Sequence, residues 1–357
     1  MAHQIDTTTG QAAFYSLRKP AWHGLGTVVE KPASTPDILR LARMDWTVAK
    51  VPLLAQVPAF GFDDLGNFQE GTETEHVDTH RAVRRTDTGA ILGVVGADWT
   101  PVQNQELFAW LDALGSWGEM TVETAGCLDG GKTVWALARM DALAWEMDTV
   151  DVIKPYLLLS NGHAGNRALS IVPTTVRVVC ANTLRMSDAK TESRHRKYRD
   201  GLAAGWKLYH FESIKDQMEK ARDILARTTE SWKATQQEME NLALAGFDAA
   251  MLDKIVEKVW KGEDEEAGQS KQAKTMAAER VGKIREILES PTCNTTSACG
   301  SAWGALNAIT EFIDRVNPVR TTNGKSEQEA RFASTQLGRA DVLKGRAWKA
   351  MREAVAI

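Results

Sequence analysis

The chain has 357 residues, of which 43% are hydrophobic and 25% are charged, and its formal net charge is −4 at pH 7. These values are ordinary for a soluble folded protein with two domains, or with one domain and a long appendage. They exclude a polycation, so a nucleic-acid site in this chain has to be a local basic patch.

The N-terminus, MAHQIDTTTGQAAFYSL, lacks the basic and apolar regions of a secretory signal, and no stretch has the apolar length of a membrane span. We therefore expect a cytoplasmic protein with no membrane partner. The four cysteines are Cys127, Cys180, Cys293 and Cys299. Their spacing fits neither a CxxC motif nor a zinc site, so we expect reduced, mostly buried thiols and no metal or cofactor.

The first 100 residues predict one helix and several strands. In STPDILRLARM, Pro36 suits the first turn of a short helix that Ser34 or Thr35 caps. DWTVAKVPLLA and VPAFGF have the composition of strands. THRAVRRTDTGAILGVVGADW predicts a hairpin with its turn at TDTG.

From residue 104 to about 185 a helix is followed by more strands. NQELFAWLDALG places Leu107, Trp110, Leu111 and Leu114 on one helical face and ends at Gly115. GEMTVETAGCLDGGKTVWALARM predicts a second hairpin that turns at LDGG, and two further strands flank the turn formers NGHAGN. Strands joined by hairpins favour an α+β fold, with helices packed on one side of an antiparallel sheet.

After about residue 205 the pattern becomes helical, which predicts an α+β domain over residues 1–204 and a helical domain over 205–357. The helix predicted from WKLYHF onward is amphipathic, with Ile214, Met218, Ala221 and Leu225 at helical spacing. A second helix places Leu252, Ile255, Val256 and Val259 on one side, and three more helices follow it. The acidic stretch GEDEEAG is expected to be a solvated loop.

A basic segment follows the last predicted strand of the sheet. Between Arg185 and Arg199, only Asp188 and Glu192 oppose its positive charges. Dense like charges repel unless solvent or an anionic partner relieves them, and guanidinium groups match phosphate oxygens. The segment therefore predicts either a solvated connection or a phosphate-binding surface. For the second case the DNA-binding residues are Arg177, Arg185, Lys190, Arg194, His195, Arg196, Lys197, Tyr198 and Arg199.

Other candidate residues have a functional and a structural interpretation. Cys180 would need a base such as His163 or His195 to act as a nucleophile, and a buried, inert thiol is the alternative. His76 and His80 in EHVDTH have the spacing of metal ligands but no third ligand, so an exposed hairpin edge is the alternative. GLG in KPAWHGLGTVV lacks the context of a dinucleotide loop and predicts a turn.

Several pieces of the sequence resemble one family. AWHGLGT, RVVCANTL after LSNGHAG, the His/Arg/Lys cluster and SAWGALNAITEFIDR are similar to the phage/plasmid-like family of uncharacterised bacterial and phage proteins, over residues 10 to 315. This resemblance implies an origin on a mobile element and supplies no catalytic residue. The predicted architecture is also similar to that of phage single-strand annealing proteins, which bind single-stranded DNA along a basic groove and assemble without a cofactor.

We therefore expect a phage or plasmid recombination protein that binds and anneals single-stranded DNA without ATP. In this interpretation the protein is a homo-oligomer that associates through the apolar faces of its long helices. The alternative is a phage assembly component, or a protein that interacts with a host defence, without catalytic activity. An enzyme, such as a nuclease that uses Cys180, His163 or the residues around His76, is the third hypothesis.

Overall fold

Strands dominate the first half of the protein and helices the second, which confirms the α+β class. No helix in the described part of the chain is long and apolar enough to cross a bilayer. The computed structural model describes residues 5–18, 25–62, 64–65, 67–115, 120–147, 152–165, 169–177, 182–185, 206–208, 229–230, 232–266, 271–293, 295–319, 321, 327, 330–331, 334 and 339–356.

Nine strands of this part form one sheet with the order β11-β10-β9-β7-β6-β1-β2, and β8 and β12 add to β9 and β10. Its neighbours are antiparallel except for the pair β1 and β2. The strands are β1 (Phe14–Leu17), β2 (Thr27–Val29), β6 (Met120–Leu128), β7 (Thr133–Met140), β8 (Trp145–Glu146), β9 (Val152–Gly162), β10 (Leu169–Arg177), β11 (Asn182–Arg185) and β12 (Trp206–Leu208).

A smaller sheet contains β3 (Val48–Phe62), β4 (Phe68–Arg85) and β5 (Ile91–Gly96). The predicted turn TDTG joins β4 to β5, and the predicted turn LDGG joins β6 to β7. In the second turn Gly130 and Gly131 have φ of 68° and 108°, a left-handed conformation that glycine adopts without a steric penalty. Both hairpin predictions are confirmed.

One face of the main sheet packs against α1 (Thr35–Leu41) and α2 (Asn104–Gly115). Ser34 is the N-cap of α1, and its hydroxyl accepts a hydrogen bond from the backbone N–H of Asp37, as the sequence predicts. Leu107, Trp110, Leu111 and Leu114 of α2 are all buried in this core. Burial of that stripe fixes α2 on the sheet, because removing apolar area from water stabilises the contact.

The C-terminal helices form a second core. They are α3 (Ala249–Glu266), α4 (Lys271–Leu288), α5 (Ala302–Arg315) and α6 (Arg339–Val355), and residues 232–244 are also helical. Leu252, Ile255, Val256 and Val259 of α3 are buried in this core, so this apolar face is not available to a second copy. The apolar residues from Ile214 to Leu225, which are also predicted to mediate self-association, lie outside the described residues.

Two local predictions are wrong. Trp206–Leu208, expected at the start of a helix, is strand β12, because it pairs with β10. The acidic stretch GEDEE, expected as a loop, continues helix α3 to Glu266. The domain boundary between residues 204 and 205 stays a prediction; Trp145 packs against both cores.

Within the described residues, the longest hairpin is built from β3 and β4. Strand β5 pairs only with residues 80–84 of β4, at the base of this hairpin. The β3–β4 register shifts between Pro52 and Leu54, and beyond the shift residues 54–62 pair with residues 68–76 without a third strand. We call residues 54–76 the hairpin arm.

Candidate nucleic-acid interface

Two short strands, β11 and β12, lie end to end along one edge of β10. Because β9 pairs with the other edge along almost the whole strand, β11 and β12 share this one. Arg185 at the end of β11 lies opposite Thr174, and Trp206 at the start of β12 lies opposite Ile171. Three residues of β10, or about 10 Å, separate these positions. The segment 186–205 therefore leaves and rejoins the sheet at one place on its edge.

The structure places two of the predicted DNA-binding residues by their backbone. Arg177 is the last residue of β10 and lies opposite Asn182, and Arg185 is the last residue of β11. Both therefore belong to the sheet edge from which segment 186–205 departs. The other predicted residues lie outside the described part of the chain: Lys190, Arg194, His195, Arg196, Lys197, Tyr198 and Arg199.

Two helices contact β11 and differ in charge: α5 contains one basic and two acidic residues in its sequence. Helix α6 contacts β11, and its sequence contains five basic and two acidic residues. Lys344 is buried and its Nζ lies 2.6 Å from Oδ1 of Asp314, so this cation already has a partner. Lys349 is the most exposed paired cation of α6 and lies 4.0 Å from Glu353. Such a pair in solvent contributes little, so the lysine can exchange its partner for a phosphate at small cost.

A polar row crosses the sheet toward Arg185. Thr121, Arg139, Tyr156 and Thr174 lie opposite one another on successive strands, and the backbone of Arg185 on β11 lies opposite Thr174. Registered neighbours in an antiparallel sheet share one face. The row therefore connects the interior of the sheet with the edge that carries the basic segment.

The centre of this row is internally compensated. The Arg139 guanidinium binds the carboxylates of Glu123 and Asp141, and the Tyr156 hydroxyl donates a 2.7 Å hydrogen bond to Glu123. Burial would raise the pKa of Asp141, but the hydrogen bond and charge of Arg139 outweigh it and lower that pKa. Burial and the Glu123 carboxylate raise the pKa of Tyr156 far above its ordinary value. A phenol so hard to ionise stays protonated near neutral pH and cannot act as a general base. The contacts of Glu123 with Arg139 and Tyr156 join β6, β7 and β9.

His163, a candidate base, lies in a buried structural cluster. Its Nε2 is 2.9 Å from Oδ1 of Asn104, and its ring contacts the edge of Trp46 with centroids 5.3 Å apart. The Asn104 amide in turn donates to the backbone carbonyls of Met44 and Trp46. These contacts join α2 to the entry of β3. The predicted partners Cys180 and His195 lie outside the described residues, so the nucleophile hypothesis stays a prediction.

The other candidate residues do not form a site where the structure describes them. His76 and His80 are both exposed on β4, but His76 pairs with Leu54 in the hairpin arm and His80 with Gly96 of β5. Within the described residues, no three His, Cys, Asp or Glu side chains come close enough to hold a metal ion. Most of the AWHGLGT piece, including His23, lies outside the described residues.

Sequence reasoning missed a cluster of phenylalanines at the tip of the hairpin arm. Phe60 and Phe68 stack with centroids 6.0 Å apart, and Phe62 meets Phe68 edge-on at the same distance. The available signal was FGFDDLGNF, in which Phe residues flank turn formers on both sides. Only the first strand of the arm was predicted, as VPAFGF; residues 68–76 were not predicted as a strand, so the pairing that brings the rings together was missed.

Comparison with known families matches residues 91–335 to the family described as a domain of unknown function, DUF932. The matched residues include the sheet edge and the basic segment, and the hairpin arm precedes them. No curated protein and no solved structure matches the chain.

Proposed function

The chain belongs to the DUF932 family, and because the description of that family states no activity, we propose from the chain's own residues that it binds and anneals single-stranded DNA without ATP. One observation carries this proposal: β11 and β12 hold both ends of segment 186–205 at a single place on the sheet edge. Residues 190–199 contain five basic residues and one acidic residue. The two strands that flank this cationic segment therefore lie next to each other on the edge of β10.

Binding in this proposal depends on the phosphates. Arginine forks pair with phosphate oxygens, and the release of condensed counterions adds affinity. Tyr198 and His195 stack on unpaired bases. Stacking does not depend strongly on the base sequence. Because the contacts go to the backbone, the Watson–Crick edges stay free to pair with a complementary strand. No cofactor or nucleotide hydrolysis is needed. An origin on a phage or plasmid and a place in the host cell cytoplasm accord with this role.

A salt titration with matched charge variants tests the proposal. The test variant is Arg194→Glu/Arg196→Glu/Lys197→Glu, measured against single- and double-stranded oligonucleotides by fluorescence anisotropy. The control reverses three exposed lysines on the helices and has the same net charge: Lys233→Glu/Lys254→Glu/Lys283→Glu.

The test variant should lose at least tenfold in affinity, and the slope of log K against log salt should become shallower by about 2, because each phosphate contact on a single strand contributes about 0.7. The control should lose only the small part of the affinity that depends on the overall charge of the protein. Wild-type protein should also speed the pairing of complementary labelled strands in EDTA without ATP. Negligible binding of both oligonucleotides at low salt contradicts the proposal. Equal losses of affinity in the two variants contradict the placement of the DNA-binding site in the basic segment.

A second candidate function is an assembly component or a protein that interacts with a host defence. The exposed phenylalanines of the hairpin arm favour it, because contiguous exposed apolar groups commonly mark protein contacts. Its signature is a stable complex whose mass does not change when oligonucleotide is added. Mass photometry with and without a single-stranded oligonucleotide separates the two functions.

A further inference from the structure

We draw no further inference here: the strongest candidate, the exposed phenylalanine cluster at the tip of the hairpin arm, carries no proposal because nothing in the structure shows what covers it.

Discussion

Replacement of Arg85 by methionine tests how the hairpin base is attached to the main sheet. The guanidinium binds the Asp6 carboxylate, pairs with Asp87 through hydrogen bonds of 2.7 and 2.9 Å, and donates to the Gly130 carbonyl at 3.2 Å. It also lies 4.3 Å from the ring centroid of Trp46. One buried side chain therefore joins the N-terminus, the β4–β5 turn and the β6–β7 turn.

The expected loss of stability follows from burial. The side chains of Arg85 and Asp6 are 1% and 2% exposed, so Arg85→Met leaves a carboxylate without its counter-ion inside the protein. Removal of one partner from a buried pair costs about 3–5 kcal/mol, and the hydrogen bonds of Thr8 to Asp6 place this case near 3. Urea unfolding should show this loss, and Asp6→Asn/Arg85→Met should recover about 2 kcal/mol of the summed single losses.

The pH dependence gives an independent check. Burial would raise the pKa of Asp6, but hydrogen bonds from Thr8 and Arg85, with the charge of Arg85, together lower it below its ordinary value of 3.8. A lowered carboxyl pKa contributes stability above the unfolded pKa, and this contribution is lost as the pH falls through the folded value. The difference between wild type and Arg85→Met should therefore shrink below pH 4. An equal difference at pH 7 and pH 3, or a loss under 1 kcal/mol, refutes the reasoning.

Three further predictions concern glycines and thiols. Gly304→Ala should destabilise by about 2 kcal/mol or more in thermal unfolding, because the new methyl group overlaps the carbonyl of Ala298; an unchanged Tm contradicts this. Gly282→Ala, in open space on α4, should stabilise by about 0.5–1 kcal/mol by the same assay, and a lower Tm contradicts it. Exposed Cys299 should react with iodoacetamide in the native protein, and buried Cys127, whose pKa burial raises further, should not, as peptide mass spectrometry can show.

Local chemistry made much of the fold predictable. The TDTG and LDGG turns, the Ser34 cap and the apolar stripe of α2 each depend on residues close in sequence, and each is found where expected. The antiparallel sheet followed from the hairpins, because a short turn leaves its two strands side by side.

Features that depend on distant partners were missed. Trp206–Leu208 is a strand only because β10 offers it an edge, and no property of the three residues alone indicates that. The hairpin arm escaped prediction because β4 there is polar on both faces and lacks the alternation of a half-buried strand. Of the candidate site, the sequence indicated the sheet edge with Arg177 and Arg185, and it gave no sign that the segment beyond it returns to the same edge.

The gap between β11 and β12 has a consequence for how the protein can be altered. Because the hydrogen bonds on either side of the gap are made by residues that stay in place, a substitute linker has only to bridge about 10 Å. Peptides of other length and charge can therefore replace the sequence between β11 and β12 while the flanking strands stay the same.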